Sequence, residues 1–138
     1  MRTGHKALFL IVLLLGASGF GFWMVMLNPH NHEWPPDWEP PTPGSQHQVF
    51  VYGTLTSPVV RWIVKGRAGE GEPARLPGYE REGLDISPEA GAELEGLLLR
   101  VNGAELQRLD RYERLGLRYE RQLMELDDGR EAWVYRRL

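Results

Sequence analysis

The stretch Val49-Phe50-Val51-Tyr52-Gly53-Thr54-Leu55-Thr56-Ser57-Pro58 decides how the chain is read. Its four leading apolar and aromatic residues, closed by glycine, predict a buried strand ending in a turn. Ser57-Pro58, followed by Val59, Val60, Trp62, Ile63 and Val64, predicts a short helix with a serine cap and proline in its first turn. Residues 66–77, charged and glycine-containing, read as loop. Residues 79–86 read as a strand, 88–92 as a turn, and 93–101 as a second strand carrying Leu94, Leu97 and Leu99. Asn102 then caps a helix that runs to about Glu113. Two further strands, 119–126 and 130–135, flank Asp127-Asp128-Gly129, a hairpin signal. The order predicts an α+β fold with a strongly curved or closed sheet and one helix packed on it.

Upstream of this unit the composition changes. Residues 7–27 contain no charge, and at about 1.5 Å rise per residue they cover the roughly 30 Å hydrocarbon core of a bilayer. Arg2 and Lys6, with the small residues Gly16-Ala17-Ser18-Gly19, also fit a cleaved signal peptide. The run continues through Phe20, Trp23 and Leu27, which favours a signal anchor. Basic residues precede the run and Glu33, Asp37 and Glu39 follow it, so the amino terminus is expected in the cytoplasm and the folded part on the extracytoplasmic side, or secreted if cleavage occurs. Residues 28–48 hold six of the ten prolines and read as a semi-rigid extended tether. Trp34 and Trp38 are read as interfacial anchors or as exposed linker aromatics. His30, His32, Glu33 and His47 invite a metal reading, but an extended linker fixes no ligand geometry. The domains are therefore a basic start (1–6), a membrane helix (7–27), a linker (28–48) and one small domain (49–138).

Composition excludes several chemistries. The 138 residues carry a net charge of −3, which offers no field for nucleic acid. With no cysteine there is neither a disulfide framework nor a thiolate nucleophile, and the domain after Val49 has no histidine for a triad. Lys65 is its only lysine and no phosphate-binding glycine loop occurs.

What remains is a carboxylate and a turn. Leu106, Leu109 and Glu113 fall within about 60° of one another on a helix, so an ionisable carboxyl shares the core-facing stripe. Burial there raises its pKa toward a range suited to both taking and giving a proton. Alternatively, Glu113 turns outward and pairs with Arg111, Arg114 or Arg118. Asp110 lies near the same stripe with Arg114 four residues on as a surface partner. The turn at Tyr52-Gly53-Thr54-Leu55 can converge backbone N–H groups on a carboxylate or oxyanion, or simply redirect the chain. The mixed charges of 108–121 read as a solvated surface, with a protein-interaction face as the weaker alternative.

Together, Val49-Phe50-Val51-Tyr52-Gly53-Thr54-Leu55, Leu76-Pro77-Gly78-Tyr79, Leu109-Asp110-Arg111-Tyr112-Glu113 and Tyr119-Glu120-Arg121 resemble the gamma-glutamylcyclotransferase-like family, in its AIG2-like and gamma-glutamylamine cyclotransferase branch. The resemblance implies a small mixed β-barrel with flanking helices, a small-molecule gamma-glutamyl substrate, release of 5-oxoproline, and no metal or organic cofactor. It also implies that Glu113 is the general acid/base and that Tyr52, Gly53, Thr54 and Leu55 hold the substrate's α-carboxylate. Tyr119 is implied near the pocket, whereas Arg121 is a weaker carry-over. Thr54 stands where other branches carry serine, and the membrane helix departs from the family's usual soluble, intracellular setting. A non-catalytic, membrane-anchored module that binds a carboxylate ligand in the same pocket is the alternative.

Overall fold

A computed structural model describes residues 2–138. Helix α1 (Arg2–Phe22) continues through a π-helical turn at Trp23–Leu27. Thr3–Leu27 is long and apolar enough to cross a membrane by length and composition; a signal sequence near the N-terminus would pass the same test. Its large side chains from Leu8 to Leu15 are exposed, as a lipid-facing helix requires.

The folded part is a mixed sheet carrying two short helices. Strands β1 (Gln46–Val51), β2 (Glu72–Glu82), β3 (Asp85–Asn102), β4 (Tyr119–Glu125) and β5 (Glu131–Arg137) lie in the order β2-β3-β1-β5-β4. Only β1 and β5 are parallel. Alternation sorts the side chains: Val49, Val51, Leu99 and Val101 pack with Leu106 and Leu109 of helix α3 (Gly103–Tyr112), while Phe50, Leu98 and Val134 pack with Leu76 and Ile86. The predicted barrel is a curled half-barrel, because no ladder joins the edge strands β2 and β4 among the described residues. Single hydrogen bonds tie its ends instead. Asp127 N–H donates to the Arg75 carbonyl (3.1 Å), and Arg137 N–H donates to Asp85 Oδ1 (3.0 Å).

Two expectations fail at prolines. Residues 72–77, read as loop, are the first half of β2, where Pro73 and Pro77 are tolerated because an edge strand need not donate on both sides. The expected turn at 88–92 lies inside β3 as a large bulge, with Gly78 alone facing residues 89–92. Helix α2 (Pro58–Lys65) forms as expected, yet the Ser57 side chain makes no capping bond.

The tether is not a free spacer. Trp34 and Trp38 stack with ring centroids 3.8 Å apart, and the Trp38 indole N–H donates to Asp110 Oδ2 (3.3 Å). Trp38 also packs against the core, so it is not a free linker aromatic. Pro35 packs where a side chain on Gly116 would be, and the Thr42 carbonyl fills the equivalent space at Gly103. The Gly103 N–H also donates to the Ser45 carbonyl at 2.9 Å. Proline-rich composition makes a segment extended; it does not keep it off a surface that fits.

Candidate active site

Helix α3 is built to aim its last residue. Asn102 Oδ1 accepts from the Glu105 N–H (2.8 Å), and the Glu105 carboxylate accepts from the Asn102 N–H (3.1 Å), closing a capping box. Leu106 and Leu109 are buried as their spacing predicts. At the far end Arg114 N–H donates to the Arg111 carbonyl and Leu115 N–H to that of Asp110, the paired bonds of a Schellman stop. The left-handed position in that motif usually holds glycine, but here it is Arg114, with φ 54°. This stop leaves Glu113 as the C-cap of the helix.

Glu113 opens into a cavity of about 250 Å³ that it shares with Tyr52, Gly53, Thr54, Leu55 and Tyr119. The geometry thus brings together all six residues that the sequence singles out. Glu113 is half-buried, and no hydrogen bond or ion pair reaches its side chain among the described residues. The outward-paired alternative is therefore not what forms. Burial, uncompensated by a cation, raises the Glu113 pKa to about 7. The effect spreads to neighbouring phenols. Burial first, and then the charges of Asp85 and Glu113 among others, raise the Tyr52 hydroxyl well above its ordinary value. Burial, followed by the charge of Glu113, also raises the Tyr119 hydroxyl.

The turn that faces Glu113 has donors to spare. A 3₁₀ turn at Thr54–Thr56 begins when Thr56 N–H donates to the Gly53 carbonyl (3.0 Å), so the preceding N–H groups of Thr54 and Leu55 have no acceptor within the turn. The hydroxyls are partly engaged. Tyr52 donates to the Tyr135 carbonyl (2.7 Å), Tyr119 donates to the Leu84 carbonyl (2.8 Å), and Thr54 Oγ1 lies 3.0 Å from the Tyr112 hydroxyl. These bonds fix the aromatic walls.

Asp110 is not the surface residue its spacing to Arg114 suggests. It is fully buried and accepts from Arg121 Nε (2.8 Å) and from the Tyr135 hydroxyl (2.6 Å). Arg121, stacked 4.5 Å over Trp133, belongs to that cluster and does not line the cavity. Two of the residues offered as metal ligands are engaged separately: a His32 ring nitrogen lies 3.0 Å from the Leu115 carbonyl oxygen, and His47 bonds Ser45. Met26 and Arg81, which no sequence signal singles out, also line the cavity, as do Arg114 and Arg118, which the sequence offers only as outward partners of Glu113. The left-handed cap at Arg114 has one sequence signal, that no glycine follows the helix before Gly116.

A family model described as gamma-glutamyl cyclotransferase, AIG2-like, matches residues 49–137. Among curated proteins, the chain is 34% identical to the Arabidopsis thaliana protein named AIG2 C over 87 residues, 58% of this chain and 52% of that one. The chain thus spans about half the length of that relative. Among solved structures, an Arabidopsis thaliana protein studied in solution aligns with TM-score 0.57 and 30% identity, over 68% of this chain and 70% of that one. A structure titled gamma-glutamyl cyclotransferase aligns with TM-score 0.53 over 68% of each chain, and at 14% identity it is a likeness of fold.

Proposed function

Because the chain belongs to the gamma-glutamyl cyclotransferase, AIG2-like family, we propose that it releases 5-oxoproline from a gamma-glutamyl amine or peptide, with Glu113 as the general acid/base. The observation that carries this reading is the unpaired Glu113 carboxyl, held near pKa 7 in a cavity shared with the Tyr52 to Leu55 turn. The substrate's α-nitrogen attacks its own γ-carbonyl carbon, a carbon–nitrogen bond forms, and the bond to the leaving amine breaks. Two protons leave the α-nitrogen and two arrive on the departing nitrogen, so one carboxyl that shuttles them suffices. Nucleophile and electrophile belong to one molecule, and the site need only select the folded conformer. The free N–H groups of the turn receive the α-carboxylate. The apolar helix holds the domain to a membrane, with the amino terminus on the cytoplasmic side as Arg2 and Lys6 direct.

Arg114 supports the carboxylate from the other wall. Arg114→Gly is expected to relieve the left-handed strain and stabilise the fold by roughly 0.5–1 kcal/mol, the gain being trimmed by the freer unfolded glycine chain. Steady-state kinetics should at the same time show a higher KM, since the guanidinium is gone. A more stable variant with unchanged KM removes Arg114 from substrate binding.

The function is tested by incubating the full chain with a panel of gamma-glutamyl amines, dipeptides and glutathione and measuring 5-oxoproline with the amine released. The full chain is needed because a fragment starting at Gln48 lacks Trp38, a partner of buried Asp110. Stoichiometric release identifies the leaving group. A ligand that stabilises the chain and is recovered intact would instead indicate a binding module.

A further inference from the structure

Helix α2 buries charge and exposes much of its apolar surface. Its charged residues Arg61 and Lys65 face the interior: Arg61 donates to the carbonyls of Leu55, Thr56 and Ala68, and Lys65 Nζ pairs with Glu105 at 3.1 Å. Val64 joins the core and Val60 packs against it, but the other three apolar residues face out, with Val59 63%, Trp62 64% and Ile63 45% exposed. These three fall within about 100° of arc on the helix surface, so they form one face and not scattered exposures. A soluble surface has no use for such a face.

What covers it follows from the neighbouring element. A groove of about 550 Å³ is lined by Trp23 and Leu27 of the apolar helix, by Ile63 and Val64, and by Arg108 and Arg111. Trp23 and Leu27 sit in the last turns of the apolar helix, and Arg111 fixes that end by donating to the carbonyls of Val25 and Asn28, each at 2.7 Å. A bilayer crossed by the helix therefore ends at the level of Ile63. We infer that the outer face of α2, Val59, Trp62 and Ile63, docks on the bilayer surface beside the point where the membrane helix emerges, so that the domain lies on the membrane and does not hang from it. Tryptophan and aliphatic side chains suit that depth, and a nearby arginine can reach phosphate headgroups. This inference rests on the membrane-spanning reading of α1.

The absence of cysteine makes the test direct. Single cysteines at Leu14, Trp62 and Ile63 are introduced into the full chain, labelled with an environment-sensitive fluorophore, and reconstituted in vesicles of phosphatidylcholine and phosphatidylglycerol with or without nitroxide-labelled lipid. Docking predicts blue-shifted emission at all three positions and loss of that emission to the nitroxide lipid, shallow quenchers acting best at Trp62 and Ile63. A quenched Leu14 label with water-like Trp62 and Ile63 labels overturns docking while leaving the anchor intact. An unquenched Leu14 label overturns the membrane-spanning reading and docking with it. Blue-shifted Trp62 and Ile63 labels that lipid nitroxides do not quench, and that revert on dilution of the protein, assign the face to a second copy of the chain and overturn docking.

Discussion

Glu113→Gln is expected to lower 5-oxoproline release by about 10²- to 10⁴-fold and, at alkaline pH, to make the fold more stable. Both results come from one feature, the desolvated carboxyl. The native pKa of about 7 lies above the ordinary 4.5, so the folded state binds this proton more tightly than the unfolded chain does. Its stabilising contribution is complete below the unfolded value and is lost as pH rises through about 7. The gap corresponds to at most about 3 kcal/mol, and contact with cavity water reduces it to roughly 1–2 kcal/mol. Glutamine carries no charge, so the variant should match the wild type in acid and exceed it by that amount above pH ~8. Denaturant unfolding at two pH values measures this. Equal stability at alkaline pH would mean that the carboxyl is hydrated or paired, and activity within about tenfold of wild type would remove it from proton transfer.

Asp110→Asn is expected to cost about 3–5 kcal/mol. The carboxylate has no exposed surface and accepts from Arg121 Nε (2.8 Å) and a terminal guanidinium nitrogen (3.2 Å), the Tyr135 hydroxyl (2.6 Å) and Trp38 Nε1 (3.3 Å). Asparagine offers one acceptor oxygen where two are in use, and it leaves Arg121 without its counter-charge. Trp38 is released at the same time, so the tether should loosen. The measurement is a shift in the denaturant midpoint with an unchanged slope, together with a red shift in tryptophan emission. Adding Arg121→Gln should recover part of the loss, because the stranded cation is then removed. A loss below about 1 kcal/mol would show that the cluster is not what ties the tether to the domain.

The sequence carried the site further than the frame around it. The spacing of Leu106, Leu109 and Glu113, with the cap at Asn102, places the carboxyl correctly because a helix is a local object with a fixed period. The turn after β1 is equally local. Asp110 misleads because its partners lie eleven and more residues away, at Arg121, Tyr135 and Trp38, beyond any helical spacing rule. The first half of β2 is hidden by Pro73 and Pro77, whose meaning depends on whether a strand is at an edge, a property of the sheet. Ser57-Pro58 announced α2 as a helix; the burial of its charged side is tied to the Lys65–Glu105 pair, which joins two elements. The docked tether was illegible for the same reason: Gly103 and Gly116 accept Thr42 and Pro35 only once the helix and its exit are built.

The proposed cyclisation depends on a carboxyl, held near neutrality, that moves its protons. Its most direct test is the pH dependence of kcat/KM for 5-oxoproline release by the full chain with the best substrate of the panel. The rate is expected to rise with pH through a midpoint near 7 as Glu113 ionises, with that limb absent from Glu113→Gln. A limb centred near the ordinary carboxylate value, or one that persists unchanged in the variant, would contradict it.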